Sequence, residues 1–354
     1  MTVQRGRGAP GNQTSDRFAL PQRHEDGEWL DARQDIDGEP PRLRTTVAVE
    51  EPRTIIARNT SPDVAFNQSV NAYRGCEHGC IYCFARPSHA RYDLSPGLDF
   101  ETKLIAKPTA PALLRKELAK RGYVVQPIAM GTNTDPYQPI EAEWRITRGC
   151  IELLAECRHP LLITTKSDRV LRDLDLLAPM AAQGLVAVGI SVTSLDPRLS
   201  RIMEPRAASP ARRLAAIRGL SDAGVPVHAC LSPIVPAIND HEIEALAAAA
   251  AGAGAIGLTN IPVRLPHEVA PLFRAWLNAH FPDRADKVMH IIQSIRGGRD
   301  NDPRFGSRMR GEGPYADLIR MRMDKARRRQ GLVAPRIALR TDLFVPPTDQ
   351  LRLL

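Results

Sequence analysis

The sequence predicts an α/β protein, a partial (β/α)6 barrel with a basic, helical C-terminal extension, and three observations carry that prediction. From about Thr46, short apolar runs alternate with helical stretches, the mark of repeated βα units around a parallel sheet. Six such runs precede Pro262, after which the rhythm stops, and six suit an open barrel better than a closed eight-stranded one. The chain has 354 residues, 43% hydrophobic and 25% charged, enough for one large core with appendages. Aromatic residues make up only 5%, so aliphatic packing must dominate that core.

Residues 1–45 are rich in Arg, Asp, Gly, Gln and Pro without a sustained apolar period, and a mobile, disordered arm is expected there. The barrel is expected over 46–265. Its strands read as "NQSVNAYRG", "VVQPIAMGT", "PLLITTKS", "LVAVGISVTS", "VPVHACLSPIV" and "AIGLTNIPV". Helices are expected over 111–121, 141–157, 169–183, 210–223 and 240–252. Pro111 and Pro210 stand early in theirs, where a missing N–H costs nothing, and Gly224 in "SDAGVPV" stops one helix before the next strand. Over 266–345 two helical stretches flank the Gly/Arg-rich "GGRDNDPRFGSRMRGEG", and "LRTDLFVPPTD" reads as a last strand stopped by prolines. Residues 346–354 form a tail.

No apolar stretch at the N-terminus suits a secretory signal, and the most apolar run, 245–258, is too rich in Ala and Gly to span a bilayer. A cytoplasmic protein without a membrane partner is expected. Thiols stay reduced there, so clustered cysteines read as metal-binding or catalytic before they read as disulfides. Charge is unevenly placed: residues 284–340 hold fifteen Lys/Arg against six Asp/Glu, a net of +9, which leaves −1 for the rest of a chain whose total is +8.

Half of the six cysteines fall within the eight residues "CEHGCIYC", as Cys76, Cys80 and Cys83, on the loop leaving the first predicted barrel strand. Three thiolates at this spacing can ligate three irons of a 4Fe-4S cubane and leave the fourth iron open to a small chelating molecule. Tyr82 can shield the cluster or lean on that molecule. The alternative is zinc, with His78 or His89 as the fourth ligand, although zinc sites usually show a second ligand pair and none follows.

The three-cysteine motif, with an aromatic residue before its last cysteine, resembles the signature of the radical S-adenosylmethionine (radical SAM) superfamily. Together with "GTNTDPYQPIE", "TTKSDRVLRDLDLL" and "SVTSLDPRLSRIMEPRAAS", it is similar to the branch related to spore photoproduct lyase, over about 46–263. The resemblance implies a partial barrel whose 4Fe-4S cluster reductively cleaves S-adenosyl-L-methionine. The resulting 5′-deoxyadenosyl radical would abstract a substrate hydrogen, with electrons from an external flavodoxin- or ferredoxin-like donor.

The other polar signals fall at the C-terminal ends of strands, where parallel α/β proteins bind ligands. Thr132, Asn133, Thr134 and Asp135 form a polar turn that could take up the cofactor's ammonium group, or serve as an Asx turn opening the next helix. Lys166 could pair with the cofactor carboxylate, and Ser191 and Thr193, on one strand face, with its ribose. By resemblance Glu204 and Arg206 join the cofactor site. Cys150 and Cys157 suit buried helical positions. Cys230 shares a strand face with His228 and Ser232; if that face lines the barrel, its thiol could hand a hydrogen atom to a substrate radical. Spore photoproduct lyases carry their hydrogen-donating cysteine in the turn where this chain has Thr132, so that repair route is not implied.

Arg299, Arg304, Arg308, Arg310, Arg327 and Arg328 are candidates for nucleic-acid or anion contact, with DNA or RNA as the partner and DNA repair or modification as the process. A solvated, internally paired helix face is the alternative. The final "QLRLL" resembles the pentapeptide by which bacterial repair and replication proteins dock on the sliding clamp, with Gln350, Leu351, Leu353 and Leu354 as anchors. Three functions follow: radical SAM chemistry on nucleic acid, the same chemistry on a peptide or small anionic metabolite, or a metal-stabilised nucleic-acid-binding protein without turnover.

Overall fold

The computed structural model describes residues 6–20, 43–333 and 337–348. Among the described residues the strands in chain order are β1 Thr46–Val49, β2 Ile56–Arg58, β3 Gln68–Val70, β4 Tyr73–Arg74, β5 Lys103–Ala106, β6 Ile128–Met130, β7 Leu161–Thr165, β8 Val186–Ser191, β9 Val227–Ile234 and β10 Gly257–Pro262. Seven join in the order β10-β9-β8-β7-β6-β3-β2, and the six from β3 to β10 run parallel as chain-order neighbours. Only β2 is antiparallel, so the sheet is the expected partial (β/α)6 barrel with an extra edge strand.

Each parallel step needs a crossover, which the intervening helices supply. Their apolar stripes cover the outer face of the sheet: Leu114, Ile151, Leu154, Leu177, Ile217 and Leu246 pack with Val186, Val188, Val227, Ala229 and Leu231 in one buried core. Alternation along β9 shows what this leaves. Val227, Ala229 and Leu231 are buried, while His228, Cys230 and Ser232 on the other face are only half-buried. That second face, which also carries the exposed Thr164 of β7 and Thr259 of β10, is the inner face of the barrel.

Local structure departs from the periodic reading at four places. The first expected strand splits at Asn71–Ala72, and β4 leaves the barrel to join a small sheet of order β1-β5-β4. The expected helix over 141–157 is two helices, Glu141–Trp144 and Ile146–Glu156, with Arg145 left-handed between them (φ 50°). The Glu141 carboxylate causes the break by accepting from Thr147 N (3.0 Å) and Arg148 N (3.2 Å), capping the second helix from the first. Residues 337–348 form no strand; Arg340 N and Val345 N each donate once, to Gly184 O and Cys157 O.

The fourth departure corrects the mobile arm. Among residues 6–20, Arg7, Gly8 and Ala9 are buried, and the segment runs hydrogen-bonded across residues 95–101 to Glu268. Backbone amides and arginines make this docking, so apolar periodicity carries no sign of it. The remaining residues of that expected arm, 1–5 and 21–42, lie outside the described residues.

In the C-terminal extension, the helices Val269–His280 and Ala285–Ser294 bury Phe273, Trp276, Leu277, Val288 and Ile292 in a second core shared with Cys80, Ile81 and Tyr82. The helix Pro314–Arg329 packs Ile319, Met323 and Ala326 against the main core. No helix among the described residues is long and apolar enough to cross a membrane.

Candidate functional site

The cysteine loop starts where β4 ends. Gly75 is left-handed (φ 73°), and a Cβ there would meet Leu104 at 2.7 Å and Phe100 O at 2.8 Å, so only glycine makes this turn. Cys76 N then donates to Phe100 O (2.9 Å), Cys83 N to Cys80 O (3.2 Å) and Ile81 N to Met203 O (3.1 Å). All three cysteines are free thiols, close enough that charge on Cys80 and Cys83 acts on Cys76. Burial pushes the Cys80 thiol up to about 12 and Cys76 well above its usual value, against which the Asp135 backbone N–H hydrogen-bonds to Cys76. Thiols held this way lose their protons to a strongly attracting metal, the donor chemistry of iron–sulfur ligation.

Among the described residues no three His, Cys, Asp or Glu side chains converge tightly enough for a single metal ion. Thiols spread along a loop fit a cluster instead, in which each binds a different iron. The histidines weighed as zinc ligands have other neighbours: His89 Nε2 lies 2.9 Å from Lys103 O, and His78 Nδ1 lies 3.3 Å from Asp135 Oδ2.

The polar turn after β6 braces this loop. Thr134 Oγ1 donates to Gly75 O (2.6 Å), and Gln138 links Thr134 Oγ1, Gly75 O and Glu77 N. Asn71, at the break between β3 and β4, binds Thr132 Oγ1 and accepts from Asn133 N (3.0 Å). Asp135 accepts from Thr165 Oγ1 (2.6 Å) and Lys166 N (2.8 Å). Burial raises the Asp135 carboxyl, but His78 and these hydrogen bonds outweigh it and hold it at about 2. The hydroxyls of Thr132 and Thr134 are thus spent on protein partners, whereas Asn133 Nδ2 makes only a long contact with Ser88 Oγ (3.4 Å).

A buried charged group lies beside Tyr82. Glu204 accepts from Thr193 Oγ1 (2.6 Å), the Tyr82 hydroxyl and the Arg213 guanidinium, and Arg213 also donates to Ser191 O (3.1 Å) and Ala208 O (2.7 Å). Burial raises the Glu204 carboxyl, and Arg213 and Lys166 pull it below its usual value. Lys166 Nζ lies over the Tyr82 ring, 5.8 Å from its centre; burial opposes its charge, but Cys80 and Glu204 outweigh burial and raise it. Arg206 pairs with Glu77 (3.1 Å), and its N–H donates to His78 O (3.2 Å).

Cys230 belongs to the same place. A Cβ at Gly189 would lie 3.1 Å from Cys230 Sγ and 3.4 Å from Thr164 Oγ1, so this glycine inside β8 leaves room on the inner face for both. The Lys166 charge also reaches the Cys230 thiol, which burial raises. Cys150 and Cys157 are buried in the main core.

The expected anion contacts lie elsewhere, and half of them are tied up. Arg304 pairs with Asp302 and Glu312, Arg308 with Asp63, and Arg327 with Asp324 while also donating to Leu258 O. The tail residues Gln350, Leu351, Leu353 and Leu354 lie outside the described residues.

Comparison with known proteins decides the family. The model of the Radical SAM superfamily matches residues 70–250, from the end of β3 through the helix after β9. The chain belongs to the radical SAM superfamily. It is 38% identical over 242 residues to an uncharacterised protein of Mycobacterium tuberculosis, covering 67% of this chain and 71% of that one. It is 31% identical over 173 residues to an uncharacterised protein of Methanocaldococcus jannaschii, covering 49% and 62%. Its fold is similar to spore photoproduct lyase complexed with dinucleoside spore photoproduct (TM-score 0.54, 18% identity, 88% of this chain and 84% of that one). A point variant of that lyase gives TM-score 0.56, 18% identity, and 89% and 85% coverage.

As a radical SAM protein the chain is an enzyme that uses a 4Fe-4S cluster and S-adenosylmethionine with an electron donor, and a metal-stabilised binder without turnover is set aside. The donor set fits that cluster, with Cys76, Cys80 and Cys83 to hold it. Sequence reasoning missed four groups of this radical SAM site: Asn71, Gln138, Arg213, and the buried Arg86–Glu101 pair (2.5 Å), whose guanidinium also donates to Cys80 O and Gly79 O within the cysteine loop. Arg213 left a signal, since it shares the buried stripe Arg213, Ala216, Ile217 and Leu220 at helical spacing. Asn71 and Gln138 act through residues 61 and 63 positions away, and Arg86 binds loop carbonyls that no residue pattern marks, so these leave none.

Proposed function

We propose that this enzyme abstracts a hydrogen atom from a nucleic-acid substrate and that Cys230 returns one. Cys76, Cys80 and Cys83 would hold the cluster, which with S-adenosylmethionine would supply one-electron, hydrogen-abstracting chemistry. Lys166 would offer the cofactor carboxylate an ammonium group, Asn133 would offer the cofactor's ammonium group its side-chain amide oxygen, and Ser191 would offer the ribose a hydroxyl, while Thr132, Thr134, Asp135, Thr193, Glu204 and Arg206 hold the surrounding turns. Electrons come from a flavodoxin- or ferredoxin-like donor.

The observation that carries the reading is Cys230 on the inner face, beside Thr164 and under the influence of Lys166. A thiol there can give its hydrogen atom to a substrate carbon radical, breaking S–H and forming C–H, and the Cys230 sulfur is left as a thiyl radical. A threonine hydroxyl cannot do this, and Thr132 is already bound to Asn71. The nucleic-acid part rests on the +9 charge of residues 284–340 and on the exposed Phe305 (60%) among arginines. The internal pairs leave Arg299, Arg310 and Arg328 as the backbone contacts to test first.

Anaerobic reconstitution with deuterated DNA or RNA tests the reading. Deuterium in 5′-deoxyadenosine, with binding that weakens steeply as salt rises, is expected. Release of unlabelled 5′-deoxyadenosine with no salt-dependent binding moves the substrate to a peptide or small anionic metabolite, the reading that the internal pairing of Arg304, Arg308 and Arg327 favours. Docking of the tail on a sliding clamp is tested by pull-down of the full chain against one ending at Asp349; equal recovery removes it.

A further inference from the structure

We propose that residues 7–9 form a strap that positions the cysteine loop for cluster binding, acting through Glu101 and Arg86. The inference rests on Cys76, Cys80 and Cys83 being the cluster ligands.

Arg86 is fully buried, three residues after Cys83, and every donor nitrogen it has is used. Nε donates to Cys80 O (2.9 Å), Nη1 to Pro96 O (3.1 Å) and Gly97 O (3.0 Å), and Nη2 to Gly79 O (3.1 Å) and Glu101 Oε1 (2.5 Å). One guanidinium therefore holds two successive carbonyls between the first and last ligands. Its placement depends on Glu101, also fully buried, whose carboxylate must itself be satisfied. The strap does this: Ala9 N donates to Oε1 (2.8 Å) and Gly8 N to Oε2 (2.9 Å), while Arg7 Nη1 donates to Glu101 O (2.9 Å).

The strap also touches the loop directly. A Cβ at Gly8 would lie 1.7 Å from Gly79 O, inside any van der Waals distance, so the two backbones meet only because residue 8 has no side chain. Beyond it Asn12 Oδ1 accepts from Asp99 N (3.1 Å), Gln13 N donates to Ser95 Oγ (2.7 Å), and Arg17 pairs with Glu268 (2.9 Å). The segment is fastened past the loop as well as at it. Only Ala9 of the strap enters an apolar core, so its main investment is in the polar support of the loop. Support of this kind behind metal ligands typically sets affinity by about 10–100-fold.

Gly8→Ala and Gly11→Ala make the test, because a Cβ at Gly11 meets nothing within 4 Å. Each full-length variant is reconstituted anaerobically, and loss of the cluster absorbance to an iron chelator is timed. The EPR signal of the reduced cluster and the melting temperature of the metal-free protein are recorded beside it. Gly8→Ala is expected to lose its cluster at least about tenfold faster and to change the EPR signal, with Gly11→Ala as in the parent and a single melting transition of metal-free Gly8→Ala showing that it is folded. Arg7→Gln, which adds no bulk, is expected to act in the same direction. Cluster retention by Gly8→Ala and Arg7→Gln equal to that of a loaded parent overturns the strap alone. A parent that takes up no cluster overturns the ligand assignment and the strap with it.

Discussion

Arg213→Met should cost the metal-free protein about 3–5 kcal/mol, because it strands the fully buried Glu204 carboxylate with only the Thr193 and Tyr82 hydroxyls on it. Lys166 also acts on Glu204 electrostatically, and puts the effect toward the lower end of that range. At roughly 2.1 cal/mol/K of unfolding entropy per residue, this chain loses about 1.3 °C of melting temperature per kcal/mol, so the drop is about 4–7 °C. Glu204→Leu should cost a similar amount by leaving Arg213 without its carboxylate. The double variant Glu204→Leu/Arg213→Met removes both charges and should melt higher than either single one, since apolar replacement of a complete buried pair is often neutral. Scanning calorimetry of the four proteins gives the coupling directly. A double variant whose loss equals the sum of the single losses would refute the claim that each charge is buried at the expense of the other.

Three more outcomes follow from the same contacts. Replacing Cys76, Cys80 or Cys83 singly by alanine should abolish iron retention and 5′-deoxyadenosine release; full iron content in any of the three removes that residue from the ligand set. Burial holds the buried His159 imidazole down, at about 4, so the unfolded chain binds that proton more tightly. The stability it contributes is complete above about pH 6.5 and is lost as pH falls toward 4, at up to about 1.4 kcal/mol per pH unit. His159→Gln should flatten the acid limb of a denaturant-midpoint profile, and profiles parallel to the parent's would contradict this. Asp63 joins the β2–β3 loop to the segment after the helix Ala285–Ser294 by accepting from Gly306 N (2.7 Å) and Arg308 Nε (2.5 Å). Asp63→Ala should speed hydrogen exchange at Gly306, and an unchanged rate counts against that link.

Much of the barrel is legible in the sequence because its signals are local. All six expected strands occur, in order and parallel, since each is a short apolar run set between helical stretches, a local pattern that needs no partner to be read. The three cysteines are legible for the same reason, as a spacing within eight residues. What does not show is set by contacts between distant residues. Glu141, held by Tyr73 68 positions before it and Arg172 31 positions after it, breaks a helix whose periodicity is continuous, and Asn71 interrupts a strand to hold Thr132 and Asn133, 61 and 62 positions on. The arginine-rich segment illustrates the opposite error. A basic run looks available to phosphate, yet Arg308 is committed to Asp63, 245 positions away.

By itself, then, the sequence determined the class of scaffold, the order of its strands and the loop with three thiols, with the chemistry those thiols imply. Only the tertiary structure decided how that loop is held. It brings Arg86, Glu101 and the backbone of residues 8–9 into one buried arrangement across 93 positions, sets Glu204 between Tyr82 and Arg213, and turns Cys230 to the face that Thr164 shares. The physical reason is burial. A charge in water tolerates many neighbours, but a charge taken from water must find its partner wherever the fold supplies one, and no local pattern encodes where that is.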